Sequence, residues 1–405
     1  MLTPAHRTEP CKGARRGWAS RGGERTDMSV DTSPAGTIDG ARIAGGLLSE
    51  YQRLPTSGAR TALPFELDGE LLLAIPQLSE DVAGQDAHMN AGNSDIDAII
   101  YRWENGQFVE HERLFTPAGE DILVFSIGAE LFLGTASIRT GSGPYEMNAF
   151  ANIYRREGGA WVPFQSIPTF AGKQLYHFSF DGRDFLGLAQ GVTLPHAQPR
   201  HPRESCILEW VGGRFEQFQV LEGKWGYNWH FFEVDGQRFL AYADHTSPSL
   251  VYRWDGSSFA PFQVFSEQTG RAFTSFERNG HFYLIHAAIQ GDTILYRWDG
   301  QTFVEQQVLG GPGGREFELI RSDDALYLVR ICFILGTPAD PKTDLMSQIY
   351  RWEAEGFVEV GEFPTFGGTD ANAFIADGER YLAVSNSLTP DVRFRQDTVI
   401  YRLHL

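Results

Sequence analysis

A short phrase returns seven times along this chain, and it limits the fold more than any other feature. Its clearest copy is Leu295-Tyr296-Arg297-Trp298-Asp299-Gly300, followed by Phe303. The others stand at Ile100-Tyr101-Arg102-Trp103, Ile153-Tyr154-Arg155-Arg156, Ile207-Leu208-Glu209-Trp210, Val251-Tyr252-Arg253-Trp254, Ile349-Tyr350-Arg351-Trp352 and Ile400-Tyr401-Arg402. The copies recur every 44 to 54 residues. Such a period marks a repeat architecture, in which each unit buries its faces against its neighbours.

A second fixed point lies downstream of each copy: Leu73, Leu133, Leu186, Leu240, Leu284, Leu328 and Leu382. From each tyrosine position to the next of these leucines the step is always 32 residues. From leucine to the following tyrosine position it varies: 28, 21, 22, 12, 12, 22 and 19. Every insertion therefore falls in one segment of the repeat.

The constant part reads as strands. Ile294, Tyr296 and Trp298 alternate with period 2, and Asn-Gly, Gly-Gly or Asp-Gly pairs follow the phrase, the chemistry of tight hairpins. The next strand opens on an aromatic: Phe108, Trp161, Phe215, Phe259, Phe303 or Phe357. Phe65, Phe125, Phe178, Phe232, Phe276, Ile320 and Phe374, each eight residues before its leucine, mark another. Between these and the leucine strands lie Asp68-Gly69, Asp181-Gly182, Asp235-Gly236, Asn279-Gly280 and Asp377-Gly378, with Gly128-Ala129 and Asp323-Asp324 as weaker matches. We label the strands A (Phe), B (Leu), C (Tyr) and D (second aromatic). Seven such units predict an all-β chain, a seven-bladed β-propeller of four-stranded antiparallel blades.

The last repeat ends at Leu405, within or just after its strand C, so its strand D is missing. Leu48–Leu54 reads as a free strand D, with Gln52 where Gln165, Gln219, Gln263 and Gln307 stand in other copies. The termini are expected to share the last blade, the N-terminal strand closing the ring. Residues 47–405 form the expected propeller, while 1–46, poor in large apolar residues, reads as a disordered tail in which Met28 is a second candidate start.

Composition narrows the function. A net charge of −18 argues against nucleic acid and anionic membranes. No apolar run is long enough for a membrane span, no signal-peptide h-region stands out, and a cytoplasmic monomer is the expectation. Cys11, Cys206 and Cys332 show neither disulfide-framework nor metal spacing.

With the frame established, Gln52-Arg53-Leu54-Pro55-Thr56-Ser57-Gly58-Ala59 and Gly378-Glu379-Arg380-Tyr381-Leu382-Ala383-Val384-Ser385, together with Ile-Tyr-Arg-Trp, resemble the EAR repeat, also called the EPTP or epitempin repeat. The resemblance spans 47–405. It departs at Leu208-Glu209 and at Asp324. It implies a seven-bladed propeller used for protein recognition, as in the leucine-rich glioma-inactivated proteins. The WD40 and kelch alternatives lack their Gly-His and Gly-Gly partners.

The Tyr-Arg-Trp phrase, repeated round a ring, reads as scaffold. Individuality lies in the B–C loops, long in blades six, seven, one, two and three and short in four and five, which predicts a raised arc with a notch on one face. Its candidate contacts for a protein or glycan are Tyr145, Glu146, His196, Arg200, His201, Arg203, Phe394 and Arg395. Four residues before the strand A markers stand Asp121, Gln174, Asn228, Glu316 and Asp370; of these, the carboxylates Asp121, Glu316 and Asp370 are a candidate Ca²⁺ site in the tunnel. No catalytic signature is present, so the expected role is non-enzymatic and without a cofactor other than that Ca²⁺. The alternative is a metal-dependent hydrolase or lyase centred on His177, His230 and these acids.

Overall fold

The computed structural model describes residues 41–322 and 325–405. Their strands form seven four-stranded antiparallel blades in a ring, with strand A of each blade beside strand A of the next. The A strands are Leu63–Leu67, Gly119–Ile127, Gln174–Phe180, Gly226–Val234, Gly270–Arg278, Gly314–Ser322 and Gly368–Ala376. Blade 5 shows the pattern in full: Gly270–Arg278, His281–Ala288, Thr293–Trp298 and Phe303–Gly310. Among the described residues no helix is long and apolar enough to cross a membrane.

The turns follow their residues. Asp68-Gly69, Asp181-Gly182, Asp235-Gly236, Asn279-Gly280 and Asp377-Gly378 take positive φ at both central positions, as type I′ hairpins require. At Gly128-Ala129 only the glycine does. Asp323-Asp324 lies outside the described residues.

Core packing runs between blades. Phe232, Phe239 and Val251 of blade 4 share one buried cluster with Phe273, Leu284, Tyr296, Trp298 and Phe303 of blade 5. Burying each such side chain contributes about 1.5–3 kcal/mol. The phrase that announces the repeat is part of this core: Tyr101, Tyr252, Tyr296, Tyr350 and Tyr401 are all buried. Trp103 and Trp298 donate their indole N–H to Asp377 and Asp235 in the A–B turn of the preceding blade, at 2.8 and 2.6 Å. The arginines lie toward solvent, Arg102 pairing with Glu70 and Glu104.

The outer strands carry a second joint. Gln52, Gln165, Gln219, Gln263 and Gln307 each clasp the backbone of the next blade's first D-strand aromatic. Gln263, for example, donates to Phe303 O at 2.8 Å and accepts from Phe303 N at 2.9 Å; the other four repeat the geometry. A β-bulge falls at the residue before this position in every D strand, turning the glutamine toward its neighbour.

Closure occurs as the repeat count requires. Leu48–Leu54 pairs antiparallel with Thr398–Leu403, with Leu48 opposite Leu403 and Gln52 opposite Ile400. Regular structure among the described residues includes positions before the boundary read from the sequence. Arg42–Ile43 adds a short fifth strand to this blade, and Ala44–Gly46 forms a single 3₁₀ turn with Ala44 buried. That turn packs on strand D of blade 6, where Gly361 stands at the glutamine position. A Cβ on Gly361 would lie 2.4 Å from the Ala44 carbonyl. The expected tail over 1–46 is thus corrected at 42–46; residues 1–40, with Cys11 and Met28, lie outside the described residues. Cys206 and Cys332 are free and buried.

Candidate functional site

The long B–C loops, residues 76–96, 138–147, 190–205, 333–343 and 387–397, form a continuous arc on one face. Hydrogen bonds knit each to the next. Thr343 Oγ1 donates to Thr389 O (2.9 Å), Arg393 Nη1 to Gln85 O (2.9 Å) and Ser94 N to Gly141 O (2.8 Å), while Arg200 N donates to Asn148 Oδ1 (2.6 Å). A satellite apolar core beneath them gathers Leu78, Ala118, Ile289, Phe333, Ile334, Leu388 and Phe394. These loops are packed structure, not free tethers.

Within the arc, over the tunnel, is a cavity of about 350 Å³. Leu78, Met89, Ile138, Met147, Val192, Leu194 and Phe333 supply an apolar wall, and Trp225 and Tyr227 close one side. A second space of about 270 Å³ adjoins it across Met89, Trp225 and Tyr227.

Beneath lies one column of the repeat, five residues before the strand A marker: Arg60, Glu120, Lys173, Tyr227, Arg271, Arg315 and Thr369; the first four and Arg315 line the cavity itself, while Arg271 faces the adjoining second space. Glu120 is held by two guanidinium groups. Arg315 Nη2 donates to its Oε1 at 2.8 Å, and Arg60 Nε lies 3.0 Å from Oε2, an ion-pair distance without hydrogen-bond alignment. Burial opposes ionisation of Glu120, yet Arg60 and Arg315 keep its carboxyl below the usual range. Lys173 donates to the carbonyls of Ala171 and Gly191, and burial pushes its ammonium down to about 7. Arg271 lies over the Tyr227 ring at 4.0 Å and donates to Gly270 O and to His245 Nδ1. Burial brings Arg271 down to about 10, and burial with the nearby Arg271 charge brings His245 down to about 4, so His245 is neutral and accepts that bond. Sequence reading passed over this column. Its signal was there: one register position occupied by four basic residues in an acidic chain.

The adjacent acidic column has another task. Asp121 accepts from Leu175 N and Thr61 Oγ1, at 3.1 and 3.0 Å, and Asp370 from Ala62 N and Asn372 Nδ2, at 2.9 and 2.8 Å. Gln174 and Asn228 likewise accept from Trp229 N and Phe273 N of the next blade. This column stitches inner strands together. Burial pushes Asp121 up to about 7, Glu316 to about 8 and Asp370 to about 6. Among the described residues no three or more His, Cys, Asp or Glu side chains gather as potential metal ligands. His177 bonds Asp184 at 3.1 Å and His230 bonds Ser275 at 2.8 Å, each spent separately.

The predicted contact residues divide. Tyr145 and His196 line the cavity; Tyr145 donates to Gly92 O at 2.9 Å under the Arg139 guanidinium. Glu146 joins loops, accepting from Asn148 and Arg200, and the Asn148 backbone and side-chain donors bring it down to about 2. His201 packs edge-on against Phe150 and approaches the carbonyls of Ala149 and Thr169. Arg203 pairs with Glu204 beside a separate groove. Phe394 is a correction: at 1% exposed it belongs to the satellite core, because apolar neighbours under the arc enclose it. Arg395 stays exposed, its backbone bridged to Ser57.

The EPTP domain family model matches residues 214–255, 258–299 and 356–404. Each match begins on a D strand and continues through strands A, B and C of the next blade, so the sequence repeat is offset from the blade by one strand. The chain is 26% identical over 200 residues to the human thrombospondin-type laminin G domain and EAR repeat-containing protein, covering 49% of this chain and 27% of that protein. It is 24% identical over 238 residues to mouse leucine-rich repeat LGI family member 3, covering 49% of this chain and 40% of that one. The matched stretches thus span less than half of either relative. Among solved structures, BBS1N in complex with ARL6DN aligns over 89% of this chain and 98% of its own, with TM-score 0.51 and 12% identity, a likeness of fold alone.

Proposed function

The chain is an EPTP-repeat β-propeller, and from that premise we propose that it is a non-enzymatic recognition module whose loop-rich face binds a protein partner. One observation carries the reading: five unrepeated loops are knitted into a preformed arc around a cavity. Evolutionary drift in tolerated loops does not require successive loops to hydrogen-bond or to share a core. Preorganisation of this kind removes the ordering entropy that a flexible rim would lose on binding. The similarity to LGI and EAR-repeat proteins supports the same class of role.

Affinity capture with paired variants tests it. Leu194→Arg places a charge on the cavity wall and is expected to abolish retention of the partner. Arg238→Ala, in an exposed ion pair with Asp181 at an A–B turn on the opposite face, is expected to leave it unchanged. Loss with Arg238→Ala and retention with Leu194→Arg would place binding on the other face and overturn the proposal.

A further inference from the structure

The floor of the cavity holds an imbalance that the recognition reading does not explain. Arg60, Lys173, Arg271 and Arg315 converge from four blades, three of them lining the cavity and Arg271 lining the space that adjoins it across Tyr227, and Glu120 is the one carboxylate in their column. Arg60, Lys173 and Arg271 are 7%, 3% and 7% exposed. In a chain of net charge −18, so many buried cations in one layer run against the overall composition.

Buried charge is costly unless it is paired and hydrogen-bonded. Glu120 forms ion pairs with Arg60 and Arg315, whereas Lys173 and Arg271 form no ion pair among the described residues. Three buried donors there also lack a hydrogen-bond acceptor: Arg60 Nε, Arg271 Nε and, at the cavity side, Trp225 Nε1. The acidic column below does not answer them. Asp121, Glu316 and Asp370 do not line the upper cavity, and Asp121 and Asp370 accept from neighbouring backbone and side-chain donors. We infer that this cationic layer binds the carboxylate of a small organic acid, whose apolar body fills the cavity above.

The chemistry of both halves selects that ligand class. Lys173 in the cavity and Arg271 in the adjoining space, on either side of Tyr227, supply charge-assisted donors for a carboxylate seated where the two spaces meet. The wall of Leu78, Met89, Ile138, Met147, Leu194 and Phe333 would gain nothing from a bare inorganic anion, but buries a hydrocarbon or aromatic body. Glu120 in the same layer repels a second negative charge, so a monoanion is preferred over a phosphate-like dianion. This goes beyond macromolecular recognition, and its test needs no protein partner, so its failure leaves the proposed function standing.

The experiment is calorimetric titration of the purified chain with phenylacetate and hexanoate, each beside its neutral amide, and with inorganic sulfate, accompanied by melting curves. The acids are expected to bind saturably and raise the melting temperature. The amides are expected to bind about ten- to a hundredfold more weakly, the worth of a hydrogen bond to a charged group. Arg271→Met and Lys173→Met should weaken the acids by a similar factor. Equal binding of acid and amide, sulfate binding as well as the acids, folded variants that bind like wild type, or no response to either acid would each overturn the inference. Because the acid–amide pair is measured on the wild-type chain, a variant that fails to fold does not blunt the test.

Discussion

Two columns of the repeat, one on the outer strands and one on the inner, obey opposite rules. On the outer strands, five of seven copies place glutamine after a bulge, and all five make the same two bonds to the next blade. On the inner strands, five residues before each marker, the copies read Arg, Glu, Lys, Tyr, Arg, Arg and Thr. Where the ring needs one joint made repeatedly, the residue is kept; where the blades converge on a shared space, each contributes something different. Repetition marks scaffold, and its breakdown at a convergent position marks the site.

That contrast can be broken first at the seam. Deleting residues 41–54 removes the strand paired with Thr398–Leu403 and the turn on Gly361, and should cause the largest loss of thermal stability of any change considered. A melting temperature equal to that of the intact chain would disprove closure by the N-terminal strand. Next in size is Leu284→Ala. This fully buried leucine lies between blades 4 and 5, and its loss should cost about 2–5 kcal/mol in denaturant unfolding.

Gly361→Gln restores the glutamine of the other outer strands where the Ala44 turn now sits, and should destabilise by about 1–3 kcal/mol through overpacking. A gain in stability would mean that the turn is dispensable. Gln263→Ala removes both bonds to Phe303 and the one from Thr302 Oγ1, and leaves Phe303 N without its acceptor, for a loss of about 1–3 kcal/mol.

A further effect concerns pH. Glu316 keeps its proton in the folded state up to about 8, against 4.5 for an ordinary glutamate. A raised carboxyl pKa gives stability that is full below the unfolded value and lost as pH rises toward the folded one. Glu316→Gln lacks this dependence, so its melting temperature should rise relative to wild type between pH 5 and pH 8. A constant difference would show that Glu316 ionises normally.

Much of the fold was legible because each of its local signals recurs round the ring. The 32-residue step, the Asp-Gly turns and the unpaired last strand C each specify geometry through local chemistry, and the structure follows them. The turn at Ala44–Gly46 was missed because two glycines and an alanine carry no hydrophobic signal. Its mark was at the other end of the contact, at Gly361, where a glutamine was due. The site was only half legible. Loop length located the arc, and Tyr145 and His196 reach the cavity. Phe394, however, could not be told from an exposed aromatic until its neighbours in four other blades were known. The cationic layer escaped because successive positions of its column lie 44 to 60 residues apart, and a column is meaningful only once the ring brings it together.

The central claim, that the outer column serves the ring and the inner column serves a ligand, is tested most directly by one crossed measurement: melting temperature and phenylacetate affinity on both Gln263→Ala and Arg271→Met. The account predicts that Gln263→Ala melts lower with affinity intact, and that Arg271→Met loses affinity with melting little changed. The reverse pattern, or parallel losses in both variants, would contradict it.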